Sequence, residues 1–244
     1  MEAIQALSGL TFMAVMTVVG VRLLMLARRH RQVPELLLAL AFLLGGSLGA
    51  SIEAAGMTTA EKFEHAGALF AVGKFFGMLG MLANCLFTWW VFRRDDPRGA
   101  LAVVGVMSLV VTGFVGHALS GAFQTAIAER QWFLVELAGR LASPAWLGGE
   151  AFLYWRSMRR RVALGLAEPV VANRFLLWVL ASIAGVVCLL TSVPPLYMSA
   201  DNPFLVLDLL VFAAAGVGTA TAYWLAFFPP ARYRRWVEGR VAAA

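Results

Sequence analysis

The run from Ala66 to Phe92 is apolar enough to cross a bilayer, yet it carries a lysine, Lys74, well inside. At 1.5 Å per residue the run exceeds a hydrocarbon core of about 30 Å. A lysine at such a place costs roughly 2.5–3.5 kcal/mol on insertion scales, so it needs a partner and must face other protein. That requirement constrains everything else. The chain has to supply further spans, and one of them has to bring a carboxylate to the depth of Lys74.

Further spans are present. Apolar runs recur at 4–27, 34–55, 99–120, 132–155, 175–197 and 204–228, which with 66–92 makes seven. The chain is 61% hydrophobic with mean hydropathy +0.77, so no soluble domain fits between them. Residues 1–244 therefore read as one all-α integral membrane domain, a seven-transmembrane helix bundle followed by a basic tail at 229–244. The first run does not read as a signal peptide, because Glu2 stands where a basic n-region would be and no small-residue cleavage site follows. Pro34 is placed to open the second helix, Pro194 and Pro195 interrupt the sixth, and Pro229 and Pro230 stop the seventh.

Charge sets the expected orientation. Arginines crowd the segments after spans one, three and five and the tail, whereas the opposite loops hold only Lys62 and Arg130. The positive-inside rule then puts the N-terminus outside and the C-terminus in the cytoplasm. The same rule accounts for the net charge of +6, which in a soluble chain would suggest nucleic acid. No nucleic-acid partner is expected. The basic inner loops instead suit membrane lipids, or a cytoplasmic or membrane protein docking on them. Near-exclusive use of arginine over lysine fits a GC-rich bacterial source, so the expected location is the bacterial cytoplasmic membrane.

Tryptophans at the inner ends of spans three, five and seven serve as a ruler. Lys74 precedes Trp90 by sixteen residues, Asp208 precedes Trp224 by sixteen, and Arg140 precedes Trp155 by fifteen. All three lie roughly 22–24 Å above the inner boundary. Glu53 and His117 fall near that level, and Glu136 one turn further out. On the third helix Lys74, Gly77, Met81, Asn84 and Thr88 share a face; on the fifth, Glu136, Arg140, Ser143, Leu147 and Glu150 do. Stripes of small and polar residues are what buried faces look like in lipid. Gly45 with Gly49, and Gly73 with Gly77, add two GxxxG spacings that permit close helix approach.

These residues support an outward-facing polar cluster of Glu53, Lys74, His117, Glu136, Arg140 and Asp208. It reads either as a ligand-binding pocket or as a set of ion pairs that lock helices together. Asp208 is the first choice of partner for Lys74, with Glu53 and Glu136 as substitutes. A second, inner cluster comprises Arg22, Asn84 and Glu150, with Arg22 paired to Glu150 and Asn84 as a neighbour.

Cysteines Cys85 and Cys188 sit apart in apolar runs, and the three histidines form no ligand spacing, so no metal or cofactor is expected. No nucleophile and base can be assembled, which places an enzyme last. The seventh helix lacks a lysine for a retinal. In topology alone the layout is similar to receptors and rhodopsins, and to the membrane sensor modules of bacterial kinases and cyclases; no motif names any of these. The leading expectation is a sensor or receptor-like module with no output domain of its own. A small-solute transporter and a structural subunit of a membrane complex are the alternatives.

Overall fold

The computed structural model describes residues 2–59, 65–125, 129–191 and 204–242. The chain is all-α, and no strand occurs among the described residues. Its helices are α1 (Glu2–His30), α2 (Val33–Leu40), a π-helical segment (Ala41–Gly49), α3 (Ala50–Thr58), α4 (Ala66–Phe92), α5 (Pro97–Leu119), α6 (Ala122–Thr125), α7 (Arg130–Ala163), α8 (Pro169–Leu190), α9 (Phe204–Phe227) and α10 (Ala231–Ala242). Six stretches are long and apolar enough to cross a membrane: Leu7–His30, Val33–Gly56, Ala66–Phe92, Pro97–Leu119, Pro169–Leu190 and Val206–Phe227. The run expected at 132–155 lies in α7, which does not meet that measure because it carries Glu136, Arg140, Glu150 and the arginines of its last turns.

Helix boundaries follow end chemistry more closely than hydropathy. Asp96 caps α5, its Oδ1 accepting from the Arg98 N–H at 2.9 Å, and Pro97 takes the first helical position. Helix α8 starts at Pro169, ahead of the expected 175, because proline tolerates a first turn that has no N–H partner to offer. Helix α7 runs on past the expected 155 to Ala163. Gly165 ends it in the left-handed region (φ 68°), where the Leu166 N–H reaches back to the Arg161 carbonyl at 2.8 Å. The tail expected at 229–244 as a plain basic extension is helical as α10. Pro194, Pro195 and Lys62 lie outside the described residues.

The chain divides into two compact units, Met16–Ser143 and the pair of segments Met1–Val15 with Pro144–Ala244. The division falls inside α7 at Pro144, a residue that removes one backbone hydrogen bond from the helix interior.

In the unit Met16–Ser143, α4 packs along the π segment and α3. Of the two expected glycine pairs, Gly49 meets Gly77, while Gly45 meets Gly80 and Gly73 meets Glu53. A Cβ on Gly49 would stand 2.7 Å from the Gly77 nitrogen, and one on Gly45 would stand 3.3 Å from the Gly80 Cα. Backbone therefore touches backbone, an approach that small residues at the contact permit. The π segment is defined by five-residue hydrogen bonds, as from the Ala50 N–H to the Gly45 carbonyl. Thr17 on α1 and Ser47 of the π segment share a hydrogen bond of 2.7 Å. Gly113 of α5 lies equally close to α7, since a Cβ there would stand 2.6 Å from the Glu136 Cβ.

In the other unit, α8 packs on α9 through Leu177, Ala181, Ala222 and Ala226. Ser8 of α1 donates to the Ala213 carbonyl of α9 at 2.9 Å. Helix α10 folds back on α8, where the Asn173 amide donates to the Tyr233 hydroxyl at 2.9 Å and Val237 is buried.

Candidate functional site

The unit Met16–Ser143 holds a cluster of five ionisable residues from four helices: Glu53 of α3, Lys74 of α4, His117 of α5, and Glu136 and Arg140 of α7. Glu136 and Arg140 are four residues apart and so share a helix face. Close approach of α4 to α3 at Gly73 and to the π segment at Gly77, and of α7 to α5 at Gly113, brings all five within reach.

Four of the five form a closed ring of alternating charge. Lys74 Nζ lies 2.6 Å from Glu136 Oε2 and 3.1 Å from Glu53 Oε1. Arg140 Nη2 lies 2.6 Å from Glu136 Oε1 and 3.1 Å from Glu53 Oε2. Each carboxylate thus bridges both cations, one oxygen to each. Two positive and two negative charges make the ring neutral, which removes much of the cost of holding Lys74 away from water.

His117 completes the cluster, its Nε2 3.0 Å from Glu136 Oε2. A carboxylate clasped by an ammonium and a guanidinium can only accept, so Nε2 donates. The other ring nitrogen, Nδ1, is buried without a hydrogen-bond partner among the described residues. The Phe70 ring covers this side. It lies 5.2 Å from Lys74 Nζ and 6.4 Å, edge-on, from the His117 ring, and packs in turn on Phe123. Exposure is graded across the cluster. His117 is 0% exposed and Lys74 2%, while the Glu53 and Arg140 side chains are 17% and 23% exposed. Glu53 and Arg140 are its accessible edge.

Five of the six residues expected in the outer cluster are therefore together. The sixth, Asp208, belongs to the other unit, half-buried on α9. Lys74 pairs with Glu53 and Glu136, the two carboxylates expected as substitutes for Asp208. Equal depth along two helix axes says nothing of which helices are neighbours, and α4 has α3 beside it.

The residues expected in the inner cluster fall in both units. Asn84 Nδ2 donates to Ser143 Oγ at 2.8 Å, and Cys85 Sγ lies 3.4 Å from the same oxygen, in a buried polar patch between α4 and α7. Arg22 is exposed on α1 in the same unit. Glu150 lies in the other unit, buried, and its Oε1 accepts from Trp146 Nε1 at 3.3 Å. Sequence reasoning missed Phe70 and Gly80. The signal for Phe70 was its position one turn before Lys74, on the same face.

Comparison with protein-family models, with curated proteins and with solved structures returns no match.

Proposed function

We propose that this chain is a sensor or receptor-like membrane module whose responsive centre is the cluster of Glu53, Lys74, His117, Glu136 and Arg140. The observation that carries the reading is the closed charge ring. It ties α3, α4 and α7 together, so a change of one charge at its accessible edge alters pairing on three helices at once. Buried, fully paired networks respond to such a change by rearranging rather than by yielding gradually.

The proposed topology has seven spans, the six stretches that meet the hydropathy measure together with α7. Its Glu136 and Arg140 face protein partners rather than lipid, which supports counting it as a span despite its charge. The arginine bias supports an N-terminus outside and a C-terminus in the cytoplasm of a bacterial inner membrane. A reporter that works only in the cytoplasm is expected to be active after Ala244 and silent within residues 58–64. The reverse pattern would invert the topology.

The basic ends of α7 and α10 are the proposed contact for a separate cytoplasmic protein or for anionic lipid. Glu53→Gln tests the sensor reading. Hydrogen exchange in the 93–98 turn, measured in nanodiscs at fixed pH, should change by at least roughly fivefold, the lower end of usual site-to-site couplings. No change there would overturn the reading. Solute-driven uptake into proteoliposomes would overturn it in favour of a transporter.

A further inference from the structure

We propose that His117 is a proton-binding site within this centre, and that the atom which takes the proton is its Nδ1. The inference rests on the reading of the cluster as a responsive centre and names its ligand.

Among the described residues, one buried acceptor of the cluster is left without any partner. Both Glu136 oxygens are occupied, Oε1 by Arg140 and Oε2 by Lys74 and His117. Both Glu53 oxygens are occupied by Lys74 and Arg140. Lysine and arginine have no acceptor to offer. The lone pair on His117 Nδ1 has no partner among the described residues, and it belongs to the one side chain type whose charge ordinarily changes between about pH 5 and 8.

Among the described residues, four charged groups surround His117. Helix α4 presents Lys74, α7 presents Glu136 and Arg140, and α3 adds Glu53 beyond Lys74. Helix α6, which packs on α5, carries no titratable side chain. A proton arriving from water forms an N–H bond at Nδ1, and neutral imidazole becomes imidazolium. The cluster then changes from neutral to a net charge of plus one.

That charge acts on a specific bond. Lys74 Nζ and His117 Nε2 share the same Glu136 oxygen, at 2.6 and 3.0 Å. With imidazolium as a competitor at that oxygen, the ammonium is repelled and Glu53 becomes its better partner. Protonation thus moves Lys74 from α7 towards α3. The new Nδ1–H is a buried donor as well, and it adds to the pressure to rearrange.

The chain has only three histidines, so ¹⁵N-histidine NMR of the full protein in nanodiscs reads the site directly. His30→Gln and His65→Gln variants assign the signals. Across an acid titration, His117 should pass from a bare Nδ1 with protonated Nε2 to both nitrogens protonated. Exchange protection of residues 50–59 should shift over the same range by at least roughly fivefold. His117→Gln keeps an N–H donor for Glu136 but has no proton site, so that pH-dependent shift should vanish. The inference is overturned if Nδ1 stays bare throughout, if it is protonated at every pH, or if His117→Gln retains the full shift. A Glu53→Gln effect at fixed pH with no His117 titration would leave the sensor reading standing and remove the proton as its signal. The converse result would do the opposite.

Discussion

Glu136→Gln is expected to destabilise the protein by about 3–5 kcal/mol, the usual cost of removing one partner from a buried ion pair. Three groups converge on this carboxylate: Lys74, Arg140 and His117. Replacing it with a neutral amide leaves two cations sharing Glu53, one of them almost fully buried. Glu53→Gln should cost less, because Glu53 sits at the exposed edge and water can replace part of what it supplied. Lys74→Met should also be costly, since Glu53 and Glu136 would be left with Arg140 as the one cation between them. Lys74→Met combined with Glu53→Gln restores neutrality around Arg140 and Glu136, so the double variant should be more stable than Lys74→Met alone. Reversible unfolding in mixed micelles measures all four. A double variant no better than the single would show that charge balance does not hold the ring together.

The need for such a ring was legible in the sequence, but its membership was legible only in part. Lys74 inside a span demands a carboxylate, and counting from the tryptophans put Glu53, Glu136 and Asp208 near its level. Depth is a coordinate along one axis, however. Which of the three meets Lys74 depends on helix order and on rotation about each axis, and those are set by packing. The same counting that placed Asp208 level with Lys74 carried no information on their neighbourhood. Both GxxxG spacings could be read, but not that Gly49 would face Gly77 while Gly73 faces Glu53. Gly80 enters the contact opposite Gly45 beside the π segment, and nothing in AFLLGGSLG announces five-residue hydrogen bonds. Helix α7 was legible both as the run at 132–155 and as a face, the stripe of Glu136, Arg140 and Ser143; its charges keep it below the hydropathy measure that six other stretches meet.

The glycine contact yields a prediction that the sequence spacing alone would get wrong. Gly49 and Gly77 look equivalent as members of two GxxxG pairs, yet their surroundings differ. A Cβ on Gly49 would meet the Gly77 nitrogen at 2.7 Å, and backbone cannot swing aside as a side-chain end can. A Cβ on Gly77 would meet only Arg140 Nη2, at an ordinary 3.6 Å. Gly49→Ala should therefore cost at least about 3 kcal/mol, the upper end of overpacking. Gly77→Ala should change stability by less than about 1 kcal/mol, offset by the helix preference of alanine. Gly113→Ala belongs with the severe case, because its Cβ would stand 2.6 Å from the Glu136 Cβ and would drive α7 from α5. It should also break the His117–Glu136 bond, visible as a changed His117 nitrogen signal. Gly105→Ala is the control, with nothing within 4 Å, and should be neutral or slightly stabilising. Equal losses at Gly49 and Gly77 in unfolding measurements would mean that α4 does not lie against the π segment in this register. The ring that depends on that register, through Glu53 of α3 and Lys74 of α4, would then have to be assembled differently.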